Sequence, residues 1–248
     1  MKSMGIIPAR WGSTRFPGKP LAMIQGKSMI RRVYEQAQKS KWLDDVVVAT
    51  DDKRIASDVE AFGGQVMMTS SNHNSGTDRC AEVIQKFEKN GEIYDLAVNI
   101  QGDEPMIDPE QIDLLIKSFD APNIQIATLA RKIESEDELT SPNVVKVVFS
   151  EQNQALYFSR HPIPYQKTVP LSQWLTGFGY FKHIGLYAYR THILKKIAQL
   201  QPGKIEQAES LEQLRWLENG YSIHIKITDR ESFAIDTPDD LLKFTNIC

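Results

Sequence analysis

Three cations stand in one short loop near the start of the chain: Arg10, Arg15 and Lys19 in Gly5-Ile6-Ile7-Pro8-Ala9-Arg10-Trp11-Gly12-Ser13-Thr14-Arg15-Phe16-Pro17-Gly18-Lys19-Pro20-Leu21. The apolar run Met4 to Ile7 before them reads as a buried strand. A glycine-rich turn after a first strand can surround phosphate oxygens with backbone N–H groups, and three cations beside it call for a polyanion. The loop fits neither common nucleotide fingerprint. Gly18-Lys19 is followed by Pro20, which rules out G-x-x-x-x-G-K-[ST], and no G-x-G-x-x-G separates the strand from the next helix. A P-loop kinase or a nicotinamide enzyme is thereby disfavoured.

Two carboxylates supply the complementary chemistry. Asp103 follows an apolar run in Asn99-Ile100-Gln101-Gly102-Asp103-Glu104-Pro105. A carboxylate at a strand's carboxyl end suits Mg²⁺, which uses one or two protein carboxylates, waters and substrate phosphates; a turn aspartate bonding its own backbone is the simpler alternative. Asp236, in Phe233-Ala234-Ile235-Asp236-Thr237-Pro238, precedes a helix that Thr237 already caps, with Pro238 at its first position. Its carboxylate is thus available, and with Asp103 it could hold one or two metal ions beside a triphosphate. Asp239 and Asp240 read as solvated first-turn partners of the helix dipole. A third loop, His73-Asn74-Ser75-Gly76-Thr77-Asp78-Arg79, enters a helix. There Ser75, Thr77 and the helix N-terminus could donate to an anion, with Arg79 adding charge; alternatively Thr77 is an ordinary N-cap.

The elements that must position these groups alternate. Val46 to Thr50, Gln65 to Met68 and Leu96 to Ile100 read as strands. Met29, Ile30, Val33 and Ala37 mark one helix; Ile55, Val59 and Phe62 mark a second, closed by Gly63-Gly64. Asp78 to Phe87 reads as a third, and Asp108, Pro109 and Gln111 open a fourth as cap, first position and capping box. Such alternation over the first 120 residues predicts an α/β fold with a doubly wound, mostly parallel open sheet, whose ligand lies at the carboxyl ends of the strands. Beyond Phe119 the rhythm becomes β-rich: Ile126 to Ile133, Val144 to Phe149, Ala155 to Ser159, then an irregular excursion from Arg160 to Tyr180, then Phe181 to Tyr189. Helices are expected near His192 to Leu200 and Glu209 to Asn219, followed by a strand from Ser222 to Ile227. The reading is one domain over residues 1–248: a nucleotide-binding core at 1–120, an inserted β-rich lobe at about 121–190, and returning helices with the second carboxylate at 191–248.

Composition narrows the function classes. The 248 residues carry 29 Lys plus Arg against 32 Asp plus Glu, a net charge of −3, which argues against binding nucleic acid or a membrane surface by bulk charge. The two cysteines, Cys80 and Cys248, match no zinc spacing and suit a reducing compartment. With no secretory h-region and no run long enough to span a bilayer, a cytoplasmic protein without membrane insertion is expected.

The order of residues in the first loop, Pro-Ala-Arg-x-Gly-Ser-x-Arg-x-Pro-Gly-Lys-Pro-Leu, resembles the signature of sugar nucleotidyltransferases, and among them the CMP-sugar synthetases. The full form from Ile6 to Leu21 is similar to the 3-deoxy-manno-octulosonate (KDO) cytidylyltransferase branch. Ser-Gly-Thr-Asp-Arg at 75–79, Val-Asn-Ile-Gln-Gly-Asp-Glu-Pro at 98–105 and Asp-Thr-Pro-x-Asp-Leu at 236–241 carry the same resemblance through the chain. It implies a Rossmann-like, GT-A-like nucleotidyltransferase fold whose β-rich insert serves substrate binding and dimerisation. It implies catalytic roles for Arg10, Lys19, Asp103 and Asp236, and Mg²⁺ held by Asp103 and Asp236. Nucleotide contacts fall to Arg10, Ser13, Arg15, Lys19, Ser75, Thr77, Arg79 and Gln101. Sugar binding falls to Arg160, His183, Glu212 and Gln213, with Tyr187 as a further candidate. The implied reaction joins CTP and KDO into CMP-KDO for lipopolysaccharide, in a homodimer. Sialic acid or an amino analogue of KDO as acceptor, or a non-catalytic nucleotide-binding regulator, are the alternatives.

Overall fold

The computed structural model describes residues 1–12, 16–231 and 233–247. The first half alternates as its apolar periodicity requires. Strand β1 (Ser3–Ala9) leads through a small ribbon, β2 (Met23–Ile24) and β3 (Lys27–Ser28), into helix α1 (Met29–Ala37). Then follow β4 (Asp45–Thr50), α2 (Lys53–Ala61), β5 (Val66–Met68), α3 (Gly76–Lys89), β6 (Leu96–Asn99) and α4 (Pro109–Lys117). The second half adds β7 (Ile126–Lys132), α5 (Glu136–Thr140), β8 (Lys146–Phe149), β9 (Ala155–Ser159), α6 (Trp174–Gly177) and β10 (Phe181–Arg190). It closes with α7 (Thr191–Ile197), α8 (Lys204–Glu209), α9 (Gln213–Glu218), β11 (Ile223–Ile227) and α10 (Pro238–Ile247).

Among the described residues the main sheet runs β5-β4-β1-β6-β10-β7-β11. Strands β5, β4, β1 and β6 are mutually parallel, as are β7 and β11, while β10 runs antiparallel between β6 and β7. This is the mostly parallel open sheet expected from the sequence. The stretch read as a β-rich lobe is continuous with it, because β7 and β10 extend the sheet beyond β6. Only the β8–β9 pair leaves the main path, attached through Lys146 opposite Lys182.

Both faces of the sheet are covered, which explains why its strands read as apolar runs. Met4, Ile6, Val47 and Ala49 face one core with Cys80 and Ile84 of α3, Ile193 of α7 and Trp216 of α9. The alternate residues Ile7, Val46 and Val48 face the other, with Ile30 and Val33 of α1, Ile55 and Val59 of α2, and Ile112 and Ile116 of α4. The strand order places β4 and β6 on opposite sides of β1, so the chain leaves the carboxyl ends of these strands in diverging directions and opens a crevice there.

Three local readings change. Ser75, not Thr77, is the N-cap of α3: its hydroxyl accepts from the N–H of Asp78 and its own N–H donates back to the Asp78 carboxylate. Gln111 forms no capping box; Asp108 caps α4 through Glu110, and the Gln111 amide reaches the carbonyl of Arg230 at 3.2 Å. Helix α8 was not anticipated. It is short and exposed, so its period was too brief to detect, and the helix expected from Glu209 begins only at Gln213.

Candidate active site

A cavity of about 290 Å³ opens at the carboxyl ends of β1 and β6. Its walls include Ala9 and Arg10 after β1, Lys19 and Pro20 of the first loop, the 73–76 turn with Arg79, Gln101 to Asp103 after β6, and Asp236. Residues distant in sequence therefore meet where a doubly wound sheet places its ligand.

At the floor, the Lys19 ammonium lies 2.7 Å from Asp103 Oδ2 and 3.2 Å from Asp236 Oδ1. The two carboxylate segments are also tied by backbone, since the N–H of Ile235 donates to the Asp103 carbonyl at 2.9 Å. Glycine is required beside them: a Cβ on Gly102 would fall 2.8 Å from the Pro8 carbonyl oxygen, so only glycine lets this turn close against β1. Gly18, at φ 72°, performs the same service for the first loop, where any Cβ would meet the Trp11 ring at 2.8 Å. The Trp11 ring is in turn covered by the Arg54 guanidinium at 3.4 Å.

Asp240 has more work than solvation. Its Oδ2 accepts from the N–H of Asp236 at 3.1 Å, from the N–H of Thr237 at 2.9 Å and from the Thr237 hydroxyl at 2.8 Å. Burial works against ionising it, and these hydrogen bonds outweigh that effect and hold its pKa below the usual value. Asp240 thereby fixes the backbone on which Asp236 stands.

The opposite wall is cationic. Arg79 is buried to 4% exposure, its guanidinium bonded to the Thr69 hydroxyl and 3.5 Å from Asp51 Oδ1. The capping box uses the N–H groups of Ser75 and Asp78, while Gly76, at the start of α3, lies on the cavity wall, where a helix N-terminus favours an anion. Gln101 reaches across to the Gly185 carbonyl at 3.0 Å and so ties the cavity to β10.

Of the residues expected to contact a nucleotide, Arg10, Lys19, Ser75, Arg79 and Gln101 line the cavity with Asp103 and Asp236. Ser13 and Arg15 lie outside the described residues. Thr77 does not line it, because its place inside the helix turns its hydroxyl to Glu212 Oε2 at 2.9 Å. His73 and Asn74 line the cavity although no role was read for them; His73 is bonded to Glu82, whose pKa lies at about 2 because Lys86, the Ser70 N–H and His73 outweigh the burial that opposes its charge. The supports of Arg79 and Asp236, namely Asp51, Thr69 and Asp240, also escaped the sequence reading. The spacing of Thr237 and Asp240, which fits a capping box, is the signal that could have found one of them.

The sugar candidates lie apart from this cavity's lining. Arg160 spends three N–H groups on the backbone carbonyls of Glu209 (2.8 Å), Pro142 (3.0 Å) and Ser210 (3.3 Å). His183 faces the Thr128 hydroxyl at 2.9 Å, and Gln213 is buried at the start of α9 beside Glu212. Though half-buried by area, the His183 ring is walled by Phe158 and Tyr187, and this enclosure pushes its pKa down to about 3. The unfolded chain then binds a proton near pH 6.5 that the folded chain refuses, so stability is full above that pH and falls as pH drops toward 3. The slope is up to about 1.4 kcal/mol per pH unit. His192 and His224 are shifted the same way by burial. Urea midpoints between pH 7 and 5 are expected to fall less steeply in a His183→Asn variant than in the wild type; equal slopes would show that His183 titrates normally.

Carboxylate oxygens are hard ligands. Among the described residues no three His, Cys, Asp or Glu side chains gather into a metal cage. The pair Asp103 and Asp236 nonetheless suits Mg²⁺, which takes few protein ligands and completes its shell with water and phosphate. The Lys19 ammonium between them shows that their joint field attracts a cation.

Comparison with known proteins agrees with this geometry. A family model described as Cytidylyltransferase matches residues 4–227. A 3-deoxy-manno-octulosonate cytidylyltransferase of Parabacteroides distasonis is 56% identical over 247 residues, covering 98% of this chain and 96% of that protein. One from Bacteroides thetaiotaomicron is 54% identical over 244 residues, with 97% and 96% covered. Among solved structures, a CMP:2-keto-3-deoxy-manno-octonic acid synthetase complexed with CTP superposes with a TM-score of 0.91 at 43% identity, covering 100% of this chain and 98% of that one.

Proposed function

We propose that this chain, which belongs to the cytidylyltransferase family, transfers the cytidylyl group of CTP to the anomeric 2-hydroxyl of KDO. The products are CMP-KDO and pyrophosphate. The observation that carries this reading is the meeting of Lys19, Asp103 and Asp236 in one cavity whose facing wall holds Arg79 and the start of α3. The relatives' names and the CTP in the neighbouring structure support the choice of nucleotide and acceptor.

The reaction needs the triphosphate's charge neutralised before an oxygen nucleophile can approach the α-phosphorus. Arg10, Lys19 and Arg79 supply fixed positive charge, and the first turn of α3 supplies backbone donors, all preorganised before substrate arrives. Asp103 and Asp236 would hold Mg²⁺, which supplies charge neutralisation at phosphate oxygens and lowers the pKa of a bound hydroxyl. No side-chain base is then required. Arg160, His183, Tyr187, Glu212 and Gln213 would serve the acceptor side, as the resemblance implies. The same reading implies a cytoplasmic enzyme supplying lipopolysaccharide synthesis. No described helix is long and apolar enough to cross a membrane. Exposed Leu156, Tyr165 and Phe178, on β9 and the following excursion, support pairing of two copies through this arm.

Pyrophosphate release from CTP and Mg²⁺, compared with KDO, sialic acid and no sugar, tests the proposal. Release with KDO alone is expected; release with sialic acid instead would keep the nucleotide chemistry and replace the acceptor. Asp240→Ala should cost about 1 kcal/mol through loss of its capping bonds and about tenfold in turnover through a loosened Asp236. Thermal melts and initial rates check this, and unchanged turnover would leave Asp240 a helix cap only.

A further inference from the structure

We propose that Thr77 is a positioning residue of the acceptor half of the site: its hydroxyl fixes the Glu212 carboxylate and makes nucleotide occupancy and acceptor affinity interdependent. The inference rests on the functional reading above. Thr77 is 1% exposed and donates to Glu212 Oε2 at 2.9 Å. It stands in the first turn of α3, between Gly76 and Arg79, which face the cavity. A ligand that orders this turn therefore also orders the hydroxyl that holds Glu212.

What Glu212 is held for is visible in its surroundings. Its other oxygen, Oε1, is buried without a well-aligned hydrogen bond, as are the hydroxyls of Tyr187 and Tyr189 and the indole nitrogen of Trp216, although the Ser75, Thr128 and Thr77 hydroxyls act on Glu212, Tyr187 and Tyr189 respectively. Tyr187 and Tyr189 project from the same face of β10, stacked at 5.9 Å, and both meet the Trp216 ring edge-on at 5.1 and 5.6 Å. The Glu212 charge acts on both phenols. Imperfectly satisfied polar groups in a closed region are costly, and a carboxylate whose charge reaches two phenols offers acceptor and donors to a polar group brought beside them. Hydroxyl groups on an acceptor substrate, which both donate and accept, match that set. The packed rings of Tyr187, Tyr189 and Trp216 restrain one another while Thr77 sets the position of the carboxylate.

Thr77→Val removes the hydroxyl and preserves shape. Calorimetric CTP affinity without sugar is expected to stay within about twofold, while the KM for KDO rises on the order of tenfold, as for a lost hydrogen bond to a buried charged group. Thr77→Ser should restore it. In a Glu212→Gln background the valine substitution should add less than about twofold, because the two groups act as one unit. If the valine protein does not fold, Thr77→Ala serves the same comparison. Weakened CTP binding with an unchanged KM for KDO would return Thr77 to the nucleotide side and overturn the proposal, as would no change in either or additive losses in the double variant. A wild-type protein inert toward KDO would overturn the functional reading and this inference with it. Wild-type turnover with a KM unmoved by Thr77→Val would overturn the inference alone.

Discussion

Asp103→Asn is expected to reduce turnover on the order of a thousandfold or more while leaving the protein folded. The amide keeps the shape of the carboxylate but loses the charge that a divalent ion needs. Its surroundings tolerate the change. The Asp103 side chain is partly exposed, its backbone carbonyl still accepts from Ile235, and Lys19 keeps Asp236 as a partner. The loss of one partly exposed ion pair costs up to about 1 kcal/mol. The melting temperature should therefore move by only a few degrees. Initial rates and a thermal melt on the same preparation separate the two effects. Near-normal turnover would remove Asp103 from the metal site.

The second large effect is expected at Lys19. Its side chain is 13% exposed and its ammonium bridges Asp103 and Asp236, so it both partners two carboxylates and offers a cation to the cavity. Lys19→Met should cut turnover by about two to three orders of magnitude, the scale seen when one preorganised charge is removed from a site of developing negative charge. It should also strengthen binding of a divalent ion in the absence of nucleotide, because the carboxylates lose the ammonium that competes for them. Mn²⁺ binding followed by electron paramagnetic resonance reads this directly. Loss of turnover together with tighter Mn²⁺ binding would assign Lys19 to the phosphates during reaction. Weaker Mn²⁺ binding would instead mean that Lys19 holds the carboxylates in a shape the metal requires.

The order of motifs already specified most of the nucleotide side. Arg10, Lys19, Ser75, Arg79, Gln101, Asp103 and Asp236 all line one cavity; the cations of the first loop and Asp103, Asp236, Ser75 and Arg79 were marked by their place beside strand ends and helix starts, and Gln101 by the resemblance. Such places are legible because apolar periodicity fixes where strands and helices stop, and an open parallel sheet brings those stops to one edge. The first-half strands and helices, and the Thr237 cap, were legible for the same local reason.

Tertiary structure alone decided the pairings that no local rule encodes. Lys19 between two carboxylates, Asp51 and Thr69 behind Arg79, and the Thr77–Glu212 bond all join residues whose contact depends on how separate elements pack. The order of strands belongs here too. The β-rich second half read as a lobe because its segments lack intervening helices, yet β7 and β10 continue the main sheet, since an antiparallel strand needs no crossover helix to join it. Side-chain direction is the last such decision. Thr77 and Ser75 are two residues apart and carry similar hydroxyls, but Ser75 is the extended N-cap and Thr77 lies inside the helix. That difference leaves Ser75 on the cavity wall capping the helix and buries Thr77 against Glu212.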